Sequence, residues 1–554
     1  MRNGVLIGAV VGIGAIMAVA CGSSSTSPDE TLPEVEGGTS GTSGTSGLPG
    51  SSGSPGGEGG TSGGDDGGNG EGGDGGGAVM PTTLKSGTVI LAGVTTDGYA
   101  AYIAITGMTA SLEVVPVTGG APTVLVPAFA QTDGVVVRGA AVAYWTGVST
   151  AGIGTLGYWT KATGPKAAVS TTSKSGMFYS SDDSSRIAFS VAATATGTAP
   201  KSSDLAVTSA SAGVATSVIT GNNAVNIAAA TPASASAAAA CPPDIGFVGK
   251  ILFGAYCTGT TATTKAGRLV TVADASTTAA RLDTASPTST AAATITPFWS
   301  ADKTGTKIFV IDSTNSRGRL IFNAATRTEA TLENDTQDGL MLDDGSAAVY
   351  RVQNTAGTTK AIRHATAVAA PVIADLVATS AEGLLAISLD QKHVLYNTLP
   401  ATNAGLVDIH SLGTAPPPPA AAIVATATAF PFGFTGDNTT VLYQTDVDAT
   451  GIGKLKAQPV AGGTEKLVAS SIFDVRPLAT GTRMIVLANP KTDMTTMLTS
   501  VDLSLADSAG AAAPVPLAAT VQADGFEVSG THLVFTRFGG AMPGGAGLYS
   551  MPLP

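Results

Sequence analysis

The sequence is poor in charged and aromatic residues. Only 12% of its 554 residues are Asp, Glu, Lys or Arg, and only 5% are Phe, Trp or Tyr. Nine acids and no Lys or Arg lie between Cys21 and Lys85, so the rest of the chain after this segment carries a charge of −4. A nucleic-acid-binding face needs clustered Lys and Arg to displace counterions. The composition therefore excludes nucleic acid as an expected partner.

Histidine is scarce as well, and this limits metal chemistry. The chain has four histidines, and none is spaced from another as a ligand pair on one strand or helix would be. No metal site, no cofactor and no histidine base is therefore predicted. The four are His364, His393, His410 and His532.

No catalytic motif stands in the context that its chemistry needs. The one Gly-x-Ser-x-Gly string covers residues 60–64 in a Gly-rich stretch, whereas a nucleophile elbow needs a strand before it and a helix after it. Residues 446–451 (DVDATG) have too few acids for a calcium loop, so they predict an exposed hairpin turn. The sequence therefore predicts no catalytic residue.

The first 20 residues predict export. Arg2 precedes an apolar run over residues 4–20, which has the length of a signal sequence core. The run ends in AVA before Cys21, and this resembles the lipobox of bacterial lipoproteins. The resemblance implies cleavage before Cys21, lipidation of that residue and attachment to a membrane, with the following Gly22 typical of the outer membrane. An ordinary secretory signal or an uncleaved anchor remain the alternatives.

Residues 21–80 predict a disordered tether. The segment consists mainly of Gly, Ser, Thr and Pro with scattered acids, and it has almost no apolar side chains. Such a composition cannot bury enough surface to offset the entropy of ordering. We expect a flexible linker between the membrane anchor and a folded domain.

Two further cysteines, Cys241 and Cys257, flank an apolar run at residues 250–256. In an exported protein, which meets an oxidising compartment, a disulfide between them is the expected arrangement. Two buried free thiols are the alternative.

From residue 84 to residue 554 the chain repeats one sequence pattern, a polar turn followed by a β-forming run. Clear copies are LDDGSAAVYRV at 342–352 and TGDNTTVLYQ at 435–444, with spacings of about 36 to 50 residues. Gly-Gly turns at 119–120 and 462–463 join two further β-runs. A period of this length fits four strands and their turns, which is one blade of a β-propeller. The expected order in each unit is the turn, an inner strand and then outer strands.

These repeated sequence patterns resemble the TolB-like and WD40-like propeller repeats of bacterial envelope proteins. The resemblance implies an all-β propeller of about eight blades, within a range of seven to ten. A strand from the start of the domain, such as residues 87–91, is expected to complete the last blade, because ring closure removes exposed sheet edges.

The expected function is non-catalytic binding or scaffolding of a protein, peptide or glycan by a lipid-anchored propeller, with no enzymatic activity. One alternative is a propeller enzyme acting on a glycan or peptide through carboxylates at the central funnel, and another is a purely structural envelope protein. Pairs of aromatic residues at 144–145, 158–159 and 298–299 either line the funnel or pack between blades. The funnel candidates are Asp182, Asp302, Asp343 and Asp390, although Asp side chains also cap their own turns.

Overall fold

The structure is a computed structural model in which the described residues form strands and turns only. Those residues are 80–150, 152–192, 203–209, 216–219, 244–258, 266–274, 276, 280–282, 298–312, 317–353, 360–377, 383–398, 406–411, 421–424, 430–493, 498–510, 512–537 and 545–553. Cys21, Cys241 and residues 60–64 lie outside the described residues. Cys257 lies in a described strand, but the surroundings of its side chain are not among the described features. The predicted lipidation and disulfide therefore stay predictions.

The strands of the first half are β1 (Thr82–Ser86), β2 (Thr88–Val94), β3 (Tyr99–Thr106), β4 (Thr109–Pro116), β5 (Thr123–Val126), β6 (Gly134–Arg138), β7 (Ala141–Thr146), β8 (Ile153–Thr160), β9 (Gly164–Ser180), β10 (Arg186–Ala192), β11 (Ser203–Ser209), β12 (Thr216–Ile219), β13 (Asp244–Val248), β14 (Ile251–Thr258), β15 (Ala266–Val272) and β16 (Ala280–Arg281).

The strands of the second half are β17 (Phe298–Ala301), β18 (Ile308–Asp312), β19 (Arg317–Asn323), β20 (Thr328–Thr331), β21 (Thr336–Met341), β22 (Ala347–Gln353), β23 (Lys360–Thr366), β24 (Ile373–Val377), β25 (Gly383–Ile387), β26 (His393–Thr398), β27 (Leu406–Ser411), β28 (Ala421–Val424), β29 (Phe430–Phe434), β30 (Thr440–Thr445), β31 (Gly453–Pro459), β32 (Lys466–Pro477), β33 (Arg483–Asp493), β34 (Leu498–Asp507), β35 (Val515–Ser529), β36 (His532–Arg537) and β37 (Gly547–Pro552).

These strands form ten antiparallel four-stranded blades, at the upper end of the expected range. Blade 1 is β2–β5, and four further blades, β13–β16, β17–β20, β21–β24 and β25–β28, are separate sheets of the same kind. The long strands β9, β32 and β35 each serve as the outermost strand of one blade and the innermost strand of the next. The β-propeller fold predicted from the repeats is confirmed.

The ring closes where blade 10 meets blade 1. β1 pairs with β37 and becomes the fourth strand of blade 10, so that Thr82 lies opposite Ser550 and Ser86 opposite Gly547. β2, the innermost strand of blade 1, contacts β35, β36 and β37. The closing strand is therefore residues 82–86, whereas the expected residues 87–91 belong to β2, because a tight turn at Gly87 directs the two strands to different blades.

The apolar run after each polar turn is the second strand of its blade, not the inner strand as expected. Ala100–Ala104 of β3 and Ala347–Tyr350 of β22 are buried along their whole length. A second strand is covered on both faces by neighbouring blades, so it reads as a continuous apolar run. The inner strand precedes the turn and is short and mixed in composition, as in TQDGLM of β21.

Neighbouring blades are joined by hydrogen bonds between the turns that connect their first and second strands. We call this set the turn belt. The backbone N–H of one turn donates to a carbonyl or side-chain oxygen of the next, which couples adjacent blades. They include Thr96 to Gly139 (2.9 Å), Ala140 to Ser184 (3.0 Å), Lys303 to Asp343 (3.0 Å), Asp343 to Gln391 (2.6 Å), Leu389 to Asn438 (2.5 Å) and Asp437 to Gly481 (3.1 Å).

A buried phenol bound to a glutamate recurs on the second strands. In blade 1, Tyr102 Oη donates to Glu113 Oε2 at 2.7 Å, and Lys85 of β1 forms an ion pair with the same carboxylate at 2.9 Å. Burial acts to raise the pKa of Glu113, but hydrogen bonds from Tyr102, Ser111 and Lys85 outweigh it, so the pKa is lowered. Blade 8 repeats the arrangement with Tyr443, Glu465 and Lys456.

We expect Glu113→Gln to lower the free energy of unfolding by about 1–2 kcal/mol at pH 7, because a buried charged acceptor is lost. Since the folded-state pKa of Glu113 is below its unfolded value, this contribution is present above about pH 4.5 and is lost as pH falls through the folded pKa. Urea unfolding at pH 7 and at pH 3.5 measures it. Glu465→Gln is the matched control, and its effect is expected to be smaller because its side chain is 44% exposed against 6% for Glu113. Equal effects of both variants at both pH values contradict the prediction.

Candidate functional site

The four aspartates considered as funnel carboxylates lie one each in the turns between the first and second strands of blades 3, 5, 6 and 7. Asp302 Oδ1 accepts hydrogen bonds from the backbone N–H groups of Thr306 (2.9 Å) and Lys307 (2.8 Å). Asp343 forms an exposed ion pair with Lys303 at 2.7 Å. Asp182 is exposed in the corresponding turn of blade 3. Their positions are explained by turn chemistry, because Asp side chains cap the backbone of their own turns.

A serine, an aspartate and a histidine occur together in the turn of blade 7, but they do not form a catalytic triad. Ser388 Oγ donates to Asp390 Oδ1 at 2.6 Å and accepts from the backbone N–H of His393 at 3.0 Å. The imidazole is not bonded to the serine, and burial lowers the pKa of His393. Because Thr435 and Asp437 make the same bond in blade 8 without a histidine, this is a turn motif.

The aromatic pairs pack between blades, with one exception. Trp145, Trp159 and Trp299 are all buried. Trp145 Nε1 donates to Ser173 Oγ at 3.0 Å, which satisfies its polar atom. Phe298 differs because it is 41% exposed on the inner strand β17.

The inner strands carry a different set of polar residues, and these form the candidate site. Each inner strand has one hydrogen-bonded neighbour within its blade, so its other edge faces the axis of the ring. Sequence reasoning missed these residues because no motif marks them. The charged side chains on these strands are Arg138, Asp244, Asp338, Asp474, Arg476, Asp524 and Glu527.

Glu527 has the arrangement best suited to proton transfer. Its Oε2 accepts a hydrogen bond from the backbone N–H of Val94 at 2.7 Å, which links the inner strands of blades 10 and 1. Solvent reaches the side chain, yet the surrounding blades displace much of its water. This desolvation raises the pKa of Glu527, and the Val94 N–H lowers it to a smaller extent. A carboxyl that is fixed, accessible and easily protonated is suited to acid–base chemistry.

Asp524 lies three residues before Glu527 on the same inner strand and is exposed. The pairing of β35 with β36 is irregular between Val521 and Phe526, so Asp524 lies in a bulged part of the strand.

Two other inner-strand acids, Asp338 and Asp474, are held by arginines. Asp338 Oδ2 accepts from Arg351 at 3.0 Å, and desolvation raises the pKa of Asp338 against the effect of that arginine. Asp474 pairs with Arg476 at 2.8 Å. These contacts give both acids a structural role in their own blades.

Within the described ranges, no group of three or more His, Cys, Asp or Glu residues is arranged to hold a metal ion. The described part of the chain also contains no helix of the length and apolarity needed to cross a membrane.

No protein family and no curated protein matches this chain in sequence. Solved structures similar to it include dipeptidyl peptidase 4 of Porphyromonas gingivalis, with 9% identity, a TM-score of 0.42 and coverage of 73% of this chain and 64% of that one. A puromycin-hydrolysing peptidase of Mycobacterium tuberculosis has 12% identity, a TM-score of 0.33 and coverage of 58% and 52%. A putative TolB from Agrobacterium tumefaciens has 12% identity, a TM-score of 0.24 and coverage of 50% and 94%. This chain thus spans about half to two thirds of the length of the two peptidases.

These similarities correct one expectation. A non-catalytic binding protein without enzymatic activity was expected, but most of the similar structures are peptidases, and this contradicts that interpretation. At 9–12% identity and TM-scores below 0.5, these likenesses do not themselves assign an activity to this chain.

Proposed function

We propose that this chain hydrolyses peptides at the inner strands of its propeller, with Glu527 as the proton donor. The observation that carries the proposal is the environment of Glu527, which combines a fixed oxygen, an accessible side chain and a raised pKa. In the proposed reaction Asp524 removes a proton from water, and the water oxygen attacks the peptide carbonyl carbon. Glu527 then protonates the amide nitrogen, and the C–N bond breaks.

A peptide fits the inner strands better than a glycan does. The inner strands expose one edge each, and an extended peptide can pair its own N–H and C=O groups with such an edge. Phe298 and Phe473 are exposed on inner strands, at 41% and 37%, and offer apolar contacts to side chains of a bound peptide.

The proposed activity is tested by incubating the full chain with a library of quenched fluorescent peptides and, in parallel, with neutral and acidic oligosaccharides. We expect cleavage of peptides, with a rate that falls as pH rises through the raised pKa of Glu527, because the donor must be protonated. Cleavage of oligosaccharides without cleavage of peptides assigns the carboxyl groups to glycan hydrolysis instead. No cleavage of either class contradicts the proposal.

We also propose that the chain is exported and lipidated on Cys21, which places the propeller at the bacterial envelope, on the outer membrane. The support is the AVAC string after an apolar run, followed by a Gly-rich segment. Cells fed a labelled fatty acid are expected to label the wild-type chain and not Cys21→Ser. Cys241→Ser is the matched control and is expected to keep the label. Label on the Cys21→Ser chain contradicts lipidation at this residue.

A further inference from the structure

Exposed aliphatic side chains gather at one end of four successive blades. In blades 6, 8 and 9 the turn between the third and fourth strands lies beside the turn between the first and second. Backbone N–H groups join the two turns, from Ala367 to Ser346 (2.9 Å), from Val460 to Thr439 (2.8 Å) and from Ser508 to Thr482 (3.0 Å). We call this end of the blades, which carries the turn belt, the belt end. The exposed residues there form the belt-end arc, namely Val368, Val372 and Ile373 in blade 6, Leu389 in blade 7, Leu467 in blade 8 and Val515 in blade 9.

The tip of blade 6 is the most apolar part of this arc. Residues 367–374 (AVAAPVIA) join β23 to β24 without a charged or hydroxyl side chain, and Val368 and Val372 are 49% and 66% exposed. The corresponding turns of blades 1 and 8, residues 117–122 (VTGGAP) and 461–466 (AGGTEK), have the polar and Gly-rich composition usual for turns in water. An exposed apolar tip of this kind marks an interaction surface.

The chain enters the propeller at the same end. Thr82, the first residue of β1, lies opposite Ser550 near the end of β37, and the next residues of that strand end lie beside a belt-end turn, with Leu553 N–H donating to the Thr531 carbonyl at 2.7 Å. A Cβ on Gly119, in the belt-end turn of blade 1, would lie 3.8 Å from Thr82 Cγ2. Residues 22–81 precede β1, so a lipid anchor at Cys21 holds the belt end toward the membrane.

We propose that the belt-end arc docks on the surface of the lipid bilayer, an inference that rests on the lipid anchor proposed at Cys21. The anchor raises the effective concentration of the propeller at the bilayer, so a few apolar side chains suffice for docking. A bilayer fits these residues better than a second copy of the chain. They are all aliphatic and stand on separate blades, whereas protein interfaces are enriched in aromatic residues, Met and Arg around a packed core. Fluid lipid accepts separate side chains without matching their shape.

The charges at the belt end are compatible with a lipid surface. Lysines neutralise several of the turn acids there and so reduce repulsion by anionic headgroups. The pairs are Asp183 with Lys250 (3.1 Å), Asp343 with Lys303 (2.7 Å) and Asp390 with Lys392 (3.8 Å).

Docking in this orientation leaves the opposite end of the propeller facing away from the membrane. Phe298 begins the inner strand β17, which runs toward its belt-end turn, so Phe298 lies at that opposite end. Met108, which is 76% exposed, lies there as well, in the turn between β3 and β4. Peptides therefore reach the inner strands from the side away from the lipid.

The inference is tested with the full lipidated chain in vesicles of phosphatidylcholine, with and without bromine on the acyl chains. Brominated lipid quenches the fluorescence of a nearby Trp, and the native Trp145, Trp159 and Trp299 are buried and give a background that the unsubstituted chain measures. Quenching of Val372→Trp and Leu467→Trp is expected to exceed that of the matched control Met108→Trp at least about twofold, since interfacial segments reach roughly 5–10 Å into the bilayer.

A second set of variants tests whether the arc acts as one surface. Val368→Ser combined with Val372→Ser is expected to reduce the quenching of Leu467→Trp, and Met108→Ser is expected to leave it unchanged. Equal quenching of Val372→Trp and Met108→Trp overturns the inference, and so does a chain that floats with the vesicles while neither belt-end Trp is quenched. A dimer in light scattering that shields Val372→Trp from brominated lipid assigns the arc to a second copy and also overturns it. If Cys21 carries no acyl group but both belt-end Trp residues are quenched, the docking stands and the proposed lipidation fails.

Discussion

Deletion of residues 82–86 is expected to lower the free energy of unfolding of the propeller by roughly 4–6 kcal/mol, by combining the cost of an emptied core position with that of lost ladder hydrogen bonds. β1 supplies the fourth strand of blade 10, and its Leu84 packs in one buried cluster with Val534 and Leu548. Without it, β37 becomes an exposed edge that can pair with another molecule. Urea unfolding followed by circular dichroism measures the loss, and light scattering measures the association.

A point variant separates closure from a general effect of shortening the chain. Leu84→Ala is expected to cost about 2–4 kcal/mol, because Leu84 is only 9% exposed. Val124→Ala is the matched control on β5, which is the outermost strand of blade 1. Val124 is 49% exposed, so the change is expected to be within about 0.5 kcal/mol. If the deletion and both point variants unfold at the wild-type midpoint, β1 does not close the ring.

Glu527→Gln is expected to lower the rate of peptide hydrolysis by about 10²–10⁴-fold, which is the usual contribution of a positioned proton donor. The amide oxygen of Gln can still accept from Val94, so the link between blades 10 and 1 is kept. The variant therefore removes the ionisable carboxyl group and keeps the geometry of the contact with Val94. Glu465→Gln, on an exposed outer carboxylate, is expected to leave hydrolysis unchanged.

The same substitution, Glu527→Gln, is expected to raise the free energy of unfolding at high pH although it lowers the rate of hydrolysis. The folded-state pKa of Glu527 is raised, so the fold favours its protonated form, and this stabilisation is lost as pH rises through the folded pKa. Gln mimics the protonated carboxyl at every pH. Glu527→Gln is therefore expected to be as stable as the wild type at pH 3.5, below the unfolded pKa of 4.5, and more stable at pH 8, as measured by urea unfolding at both. A variant that loses stability at pH 8 and keeps hydrolysis assigns Glu527 to ring closure alone.

The propeller could be predicted from sequence because its second strands are continuous apolar runs that recur along the chain. Most of them follow a turn with a capping Asp, as in residues 435–444. The Gly-Gly turns were predictable for the same kind of reason. Gly462 and Gly463 adopt φ angles of 88° and 128°, which other residues rarely adopt.

The number of blades could not be fixed in this way. β9, β32 and β35 run for 17, 12 and 15 residues from one blade into the next. No loop marks the boundary between blades there, so the sequence shows no turn signal between one repeat and the next. Within these strands Ala168, Ser471 and Thr520 adopt positive φ angles, which no sequence pattern marks.

The candidate site was beyond sequence reasoning because it depends on ring closure. Val94 and Glu527 are 433 positions apart, and only the return of the chain to its first blade brings them into contact. The inner-strand residues Arg138, Asp244 and Asp338 likewise come from three different blades. Short inner strands such as GVVVR carry no spacing that relates one to another.

The most direct test of the proposed hydrolysis is cleavage of a peptide substrate in water enriched with ¹⁸O. We predict that the wild-type chain releases a fragment whose new carboxyl group carries one ¹⁸O atom, detected by mass spectrometry, and that Glu527→Gln releases at least a hundredfold less of it. Peptide that stays intact with the wild-type chain, or labelled fragment in equal amounts from both chains, contradicts the account.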